Sequence, residues 1–202
     1  MIALVLFLSL FPFASVSSYP NNCRKCGTMD VPYPLSTSDD CGNPNYKVYC
    51  NNDTLEFLSS VGFYYKILSI NPYTSRFIIR PPFISCQSCD LSLGGFKIDE
   101  NSPFNVSSRN MIMLFNCSEN IFLFPLNCSS SSPCRRFEEA NQGRNCKNTL
   151  CCSYLKDASI TSHRIRIRDG GCTAYISLVD FKTEESINAW RYGIELQWIT
   201  PN

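Results

Sequence analysis

Short apolar runs broken by Asn, Asp, Gly and Pro recur along the chain from residue 46 onward, and each is rich in β-branched and aromatic residues. Tyr46–Cys50, Leu55–Leu58, Phe63–Ile70 and Phe77–Arg80 form a first set; Met111–Asn116, Ile121–Phe124, Ile160–Arg168, Thr173–Val179 and Ile194–Trp198 form a second. This is the pattern of short strands in small antiparallel sheets. Prolines at 20, 32, 34, 44, 72, 81 and 82 cut the first half into segments too brief for long helices. Helix is expected only over Cys134–Asn141 and Lys182–Trp190, where Thr183 suits a cap and Glu184 and Glu185 suit the positive end of the helix. No repeat of fixed period is visible, and Ser129–Ser132 followed by Pro133 reads as a loop. The expected class is mainly β, with one or two short helices.

The first residues have another character. Ile2–Phe13 is almost wholly apolar and is followed by the small residues Ala14, Ser15, Ser17 and Ser18. It is too short to span a bilayer and reads as a signal peptide over residues 1–18, with cleavage near Ser17 or Ser18. Thirteen cysteines follow it: Cys23, Cys26, Cys41, Cys50, Cys86, Cys89, Cys117, Cys128, Cys134, Cys146, Cys151, Cys152 and Cys172. That density belongs to exported domains stapled by disulfides. Asn52, Asn105, Asn116 and Asn127 each begin an N-x-Ser/Thr acceptor, which places a glycan on an exposed turn or edge of a secreted protein.

The two Cys-x-x-Cys pairs, Cys23 with Cys26 and Cys86 with Cys89, have the spacing of a zinc site, but an oxidising compartment favours disulfides, so no metal and no cofactor are expected. Cys151 and Cys152 are adjacent. Neighbours on a strand face opposite ways, so they are expected to reach different partners and tie two layers together. Each bridge in so small a domain contributes about 2–4 kcal/mol. Because thirteen is odd, at least one thiol has no partner within the chain, and spacing alone does not fix the pairings.

In the first half, Cys26-Gly27, Val31-Pro32-Tyr33-Pro34-Leu35, Cys41-Gly42-Asn43-Pro44-Asn45-Tyr46-Lys47-Val48-Tyr49-Cys50 and Tyr65-Lys66-Ile67-Leu68-Ser69-Ile70 occur in order. Together they resemble the galacturonan-binding domain of plant wall-associated receptor kinases. The second half, with Phe115-Asn116-Cys117-Ser118, Cys151-Cys152, Gly171-Cys172 and Gly193-Ile194-Glu195-Leu196-Gln197-Trp198, is similar to the cysteine-rich domain that follows it in that family. The resemblance implies two consecutive cysteine-rich lobes of small, disulfide-stapled antiparallel sheets, divided as residues 19–103 and 104–202. Leu35 stands where the family usually has Phe, a change that bears on packing more than on binding. The family's receptors continue into a membrane helix and a kinase, whereas this chain stops at Asn202 with no His-Arg-Asp or Asp-Phe-Gly triplet, so no kinase activity is expected of it.

The resemblance further implies non-catalytic binding of pectin, the polygalacturonate of the plant cell wall, or of its oligomers, by a secreted protein of the wall or apoplast; family members are plasma-membrane ectodomains. Such binding needs cations spaced to meet uronate carboxylates and aromatic faces for sugar rings. On a strand, Arg164, Arg166 and Arg168 would share one face about 7 Å apart. The same row equally suits the charged outer face of an edge strand. Arg24, Lys25 and Lys47 beside Tyr33 and Tyr46 form a second candidate group, although the tyrosines also suit packing around the disulfides. A net charge of +1 gives no general pull on nucleic acid. With one histidine, His163, and no Gly-x-Ser-x-Gly elbow, neither a zincin nor a serine hydrolase is expected. The acidic doublets Asp39-Asp40, Glu138-Glu139 and Glu184-Glu185 read as solvated turns rather than glycosidase pairs. The competing reading is a secreted, glycosylated module that binds another cell-surface protein and has no sugar affinity.

Overall fold

The computed structural model describes residues 22–81, 95–118, 126–140, 150–155, 163–165, 172 and 174–201. Among them, the first half supplies β1 (Cys23–Cys26), β2 (Met29–Val31), β3 (Tyr49–Asn51), β4 (Thr54–Leu58), β5 (Tyr64–Asn71), β6 (Arg76–Ile79) and β7 (Phe96–Lys97). The second half supplies β8 (Phe104–Val106), β9 (Asn110–Cys117), α1 (Pro133–Ala140), β10 (Leu150–Leu155), β11 (Arg164–Ile165), β12 (Ala174–Val179), β13 (Arg191–Tyr192) and β14 (Ile194–Trp198). The fold is mainly β and its ladders are antiparallel, as expected. Burial alternates along the central strands: Leu55, Phe57, Tyr65 and Ile67 turn inward while Glu56, Lys66 and Tyr64 turn out.

The larger sheet runs β3-β4-β5-β6-β14-β8, the smaller β10-β9-β12-β13, and two-stranded ladders join β1 to β2 and β11 to β7. The two halves interleave in the larger sheet instead of following one another. β14 carries Ile194, Leu196 and Trp198 on one face, and that face finds its apolar partners only between β6 and β8, where Phe77 lies 6.1 Å from Trp198 and 5.6 Å from Phe104. Phe57, Phe77, Phe96, Phe104, Ile112, Leu114, Ile165 and Leu196 make one continuous core beneath this sheet. A second cluster of Met113, Phe115, Cys134, Cys151, Leu178 and Trp190 lies beneath α1.

Ten cysteines form five bridges among the described residues: Cys23–Cys41, Cys26–Cys50, Cys117–Cys172, Cys128–Cys152 and Cys134–Cys151. Cys23 and Cys26 each pair elsewhere, so their Cys-x-x-Cys spacing makes no site of its own. Cys151 and Cys152 do reach different partners, one on α1 and one in the loop before it. Cys86, Cys89 and Cys146 lie outside the described residues, as do the signal segment and Ile121–Phe124.

The helix expected over Cys134–Asn141 is α1, opened by Pro133 and by the Ser132 hydroxyl, which accepts from the Arg135 N–H at 3.3 Å. The helix expected over Lys182–Trp190 does not form; only a single 3-10 turn, Ile187–Ala189, appears there. The carbonyls of Thr183 and Glu185, which a helix would have used, instead accept from the Arg136 guanidinium at 2.6 and 3.1 Å. The Thr183 hydroxyl donates to Glu184 rather than capping the backbone, and Phe181 packs edge-on against Trp190 at 5.3 Å.

Candidate functional site

The segment that begins the first half is folded around its two bridges. Cys26–Cys50 ties β1 to β3, and Cys23–Cys41 ties it to the loop between β2 and β3. Val31 and Leu35 are buried in the core, so a change of volume at position 35 bears on packing. Ser36 and Lys47 form a parallel bridge: the Ser36 N–H donates to Tyr46 at 3.0 Å and the Val48 N–H to Ser36 at 2.8 Å. Gly27 and Gly42 adopt φ of +57° and +64°. A Cβ at either would strike a carbonyl oxygen, that of Asp53 for Gly27 and that of Leu35 for Gly42. Gly42→Ala should therefore lower stability by about 2 kcal/mol or more, read as a fall in the urea midpoint at unchanged slope.

This bracing fixes Asn45, Tyr46, Lys47 and Tyr49 as one wall of a groove of about 730 Å³. Phe57, Ile98 and Phe104 make its apolar floor, and Asn45, Lys47, Tyr49, Ser60, Asp99 and Asn101 contribute its polar and aromatic lining. An apolar floor with a few convergent amide, hydroxyl and charged groups is the composition of a site for a polar ligand with an apolar ring face, and the volume is within the range of such sites. Nothing in this lining resembles a paired-carboxylate cleft. Glu138, whose carboxyl burial pushes above the usual range against the pull of Arg135, sits on α1 outside the groove lining. The Ser38 hydroxyl holds Asp40 below its usual value, and the backbone N–H and Thr183 do the same for Glu184.

The residues singled out from sequence separate into distinct roles. Tyr46 is buried, its hydroxyl donates to the Ile199 carbonyl at 2.6 Å, and its ring meets Phe104 edge-on at 5.9 Å, so it floors the groove and joins the two halves. Burial pushes its phenol pKa up. Lys47 stands at the rim and pairs with Asp39 at 3.4 Å; Lys25 pairs with Asp30 at 3.0 Å. Both pairs are largely exposed, so each is weak enough for a ligand carboxylate to displace. Arg24 is exposed on β1, and Tyr33 is half exposed, its N–H donating to Asn22 at 2.9 Å. Arg24, Lys25 and Tyr33 do not line the groove. Of the arginine row, Arg164 faces outward and Ile165 is buried, which is the alternation expected; Arg166 and Arg168 lie outside the described residues.

Lys97 was missed from sequence. It stands directly opposite Arg164 across β7 and β11, exposed, and neither has an ion-pair partner among the described residues. Its carbonyl accepts from the N–H and hydroxyl of Ser60, at the groove's edge, at 3.0 and 3.2 Å. The only sequence signal was a single Lys after a buried Phe in a run too short to call a strand. Asn52 is exposed in the two-residue turn between β3 and β4, Asn105 lies on the edge strand β8, Asn116 is half-buried in β9, and Asn127 is exposed with its side-chain oxygen accepting from the Ser129 N–H at 3.1 Å.

Fold and groove together define a disulfide-stapled, mainly β domain with antiparallel ladders. Residues 20–81 match the profile of the family described as wall-associated receptor kinase galacturonan-binding. The chain is 39% identical over 191 residues to wall-associated receptor kinase-like 20 of Arabidopsis thaliana, covering 90% of this chain and 29% of that protein. It is 35% identical over 205 residues to wall-associated receptor kinase-like 15 of the same plant, covering 95% of this chain and 32% of that protein. The chain is thus similar over most of its length to wall-associated receptor kinase-like proteins, and spans less than a third of either relative. No solved structure matches it. No helix among the described residues is long and apolar enough to cross a membrane.

Proposed function

We propose that this chain is a non-catalytic, extracellular binding module for pectin, taking polygalacturonate or its oligomers in the groove walled by Asn45, Tyr46, Lys47 and Tyr49. The observation that carries the reading is a coincidence of place: the stretch matching the galacturonan-binding family, residues 20–81, is the stretch that supplies Lys47, Tyr49, Phe57 and Ser60 to the groove. Tyr49 offers a ring face to a pyranose, the amides of Asn45 and Asn101 meet hydroxyls, and Lys47 meets a uronate once Asp39 is displaced. The outward pair Arg164 and Lys97, joined to the groove through Ser60, continues the cationic path. Glycans on Asn52, Asn105, Asn116 and Asn127 belong to the same reading, which places the protein in the wall or apoplast.

A glycan array carrying oligogalacturonates beside neutral glucans and xylans tests this. Binding confined to the uronic acid polymers is the expected outcome. Equal binding to neutral chains, or none to any glycan alongside tight capture of a defined protein partner, would replace the reading with a protein-interaction module.

A further inference from the structure

Resting on the pectin reading, we propose that the outer face of the larger sheet holds a second subsite, which stacks one sugar ring on Tyr64, braced edge-on by Tyr49, and clamps an adjacent free carboxylate between Lys66 and Arg80. The register places the two cations. Ile67 pairs with Ile79, and the Arg80 N–H donates to the Lys66 carbonyl at 2.9 Å, so Lys66 and Arg80 stand opposite one another on β5 and at the end of β6. Tyr65, Ile67 and Ile79 between them are buried, and both cations are exposed on the other face.

Like charges directly opposed on neighbouring strands repel, and sheets ordinarily place a carboxylate there. This protein follows that habit elsewhere: Lys25 meets Asp30 across β1 and β2, and Arg109 meets Asp180 at the end of the β9–β12 ladder. Lys66 and Arg80 meet none among the described residues. The nearest acid in register, Glu56, lies across from Lys66 on β4 but takes the Asn51 amide at 2.8 Å instead. A bound anion resolves the repulsion, and a planar guanidinium beside an ammonium suits a carboxylate.

The platform lies next to the clamp. Tyr64 is 50% exposed on the same face as Lys66, two residues before it, and its ring meets Tyr49 edge-on at 5.2 Å. Leu58, in register with Tyr64, widens the apolar surface. Tyr49 also lines the groove, so the platform continues the proposed binding path. The subsite therefore discriminates by esterification: a methyl ester keeps the ring but removes the charge that Lys66 and Arg80 require.

The test compares the intact secreted glycoprotein with Lys66→Gln/Arg80→Gln, Tyr64→Ala and the control Lys182→Gln, titrated by calorimetry with fully de-esterified and fully methyl-esterified oligogalacturonates of equal length. The double variant should lose about tenfold or more in affinity for the de-esterified oligomer, with no change for the ester and no fall in thermal midpoint, since a repulsion has been removed. Tyr64→Ala should weaken both ligands, and Lys182→Gln neither. Undiminished affinity in the double variant, or an equal loss in Lys182→Gln, overturns the subsite while leaving the pectin reading standing. No binding by the unaltered protein overturns both.

Discussion

Replacing Cys117 and Cys172 together by alanine should lower the unfolding free energy by about 4 kcal/mol, more than loss of any other bridge among the described residues. This bridge closes 55 residues, whereas Cys134–Cys151 closes 17. Loop-closure entropy grows with the logarithm of that length, so the shorter bridge is worth about 3 kcal/mol. Cys117 ends β9 and both cysteines are buried in the larger core, so the alanines also leave a cavity there. Guanidinium unfolding of the two double-alanine variants gives the comparison. A smaller loss from the 55-residue bridge than from the 17-residue one would show that native packing, not restriction of the unfolded chain, governs these bridges.

Asn110→Ala should be the most damaging substitution that touches no disulfide, with a loss of about 3–4 kcal/mol. Asn110 is fully buried at the start of β9. Its amide donates to the carbonyls of Ser107 at 2.7 Å and Glu195 at 2.9 Å; its oxygen accepts the Glu195 N–H at 2.8 Å and the Ser177 hydroxyl at 3.2 Å. One side chain thus joins β14 of the larger sheet to β9 and β12 of the smaller. Alanine strands several buried polar groups at once, and each costs about 1–3 kcal/mol when left unpaired. Glu195, also buried, then keeps Ser107 and the flanking Arg76 and Arg109 as its partners among the described residues, and its N–H is stranded. A thermal midpoint lowered by roughly 6–16 °C is the expected reading for a domain of this size; a shift under about 2 °C would mean that water replaces the amide.

How much of this was legible in advance depended on the range of the interactions involved. β4, β5, β6, β9, β12 and β14 could be read because their own side chains are β-branched and aromatic and their ends are marked by turn residues. β7, β8 and β13 could not, being two or three residues long and strands only because a distant ladder recruits them. The false helix at 182–190 failed for the converse reason: Thr183, Glu184 and Glu185 favour a helix start locally, but Arg136, far away in sequence, takes the carbonyls. The separate partners of Cys151 and Cys152 followed from strand geometry alone. The interleaving of the halves did not, because β14 has nothing in its own sequence to say that Phe77 and Phe104 await it.

The candidate site shows the same division. Lys47 and Tyr46 were singled out as neighbours in sequence and proved to be neighbours in the groove, one as rim and one as floor. The cation pairs Lys97 with Arg164 and Lys66 with Arg80 are products of register, invisible until the ladders are known.

The central claim is most directly tested by retention on beads of de-esterified polygalacturonate as ionic strength rises. Contacts between exposed cations and carboxylates are screened beyond about 10 Å at 0.1 M salt. Retention should accordingly be firm in low salt, decline steadily toward moderate salt, and be much weaker and indifferent to salt on beads of fully methyl-esterified polymer. Failure to bind the acid polymer at low ionic strength, or retention indifferent to both salt and esterification, would contradict the account.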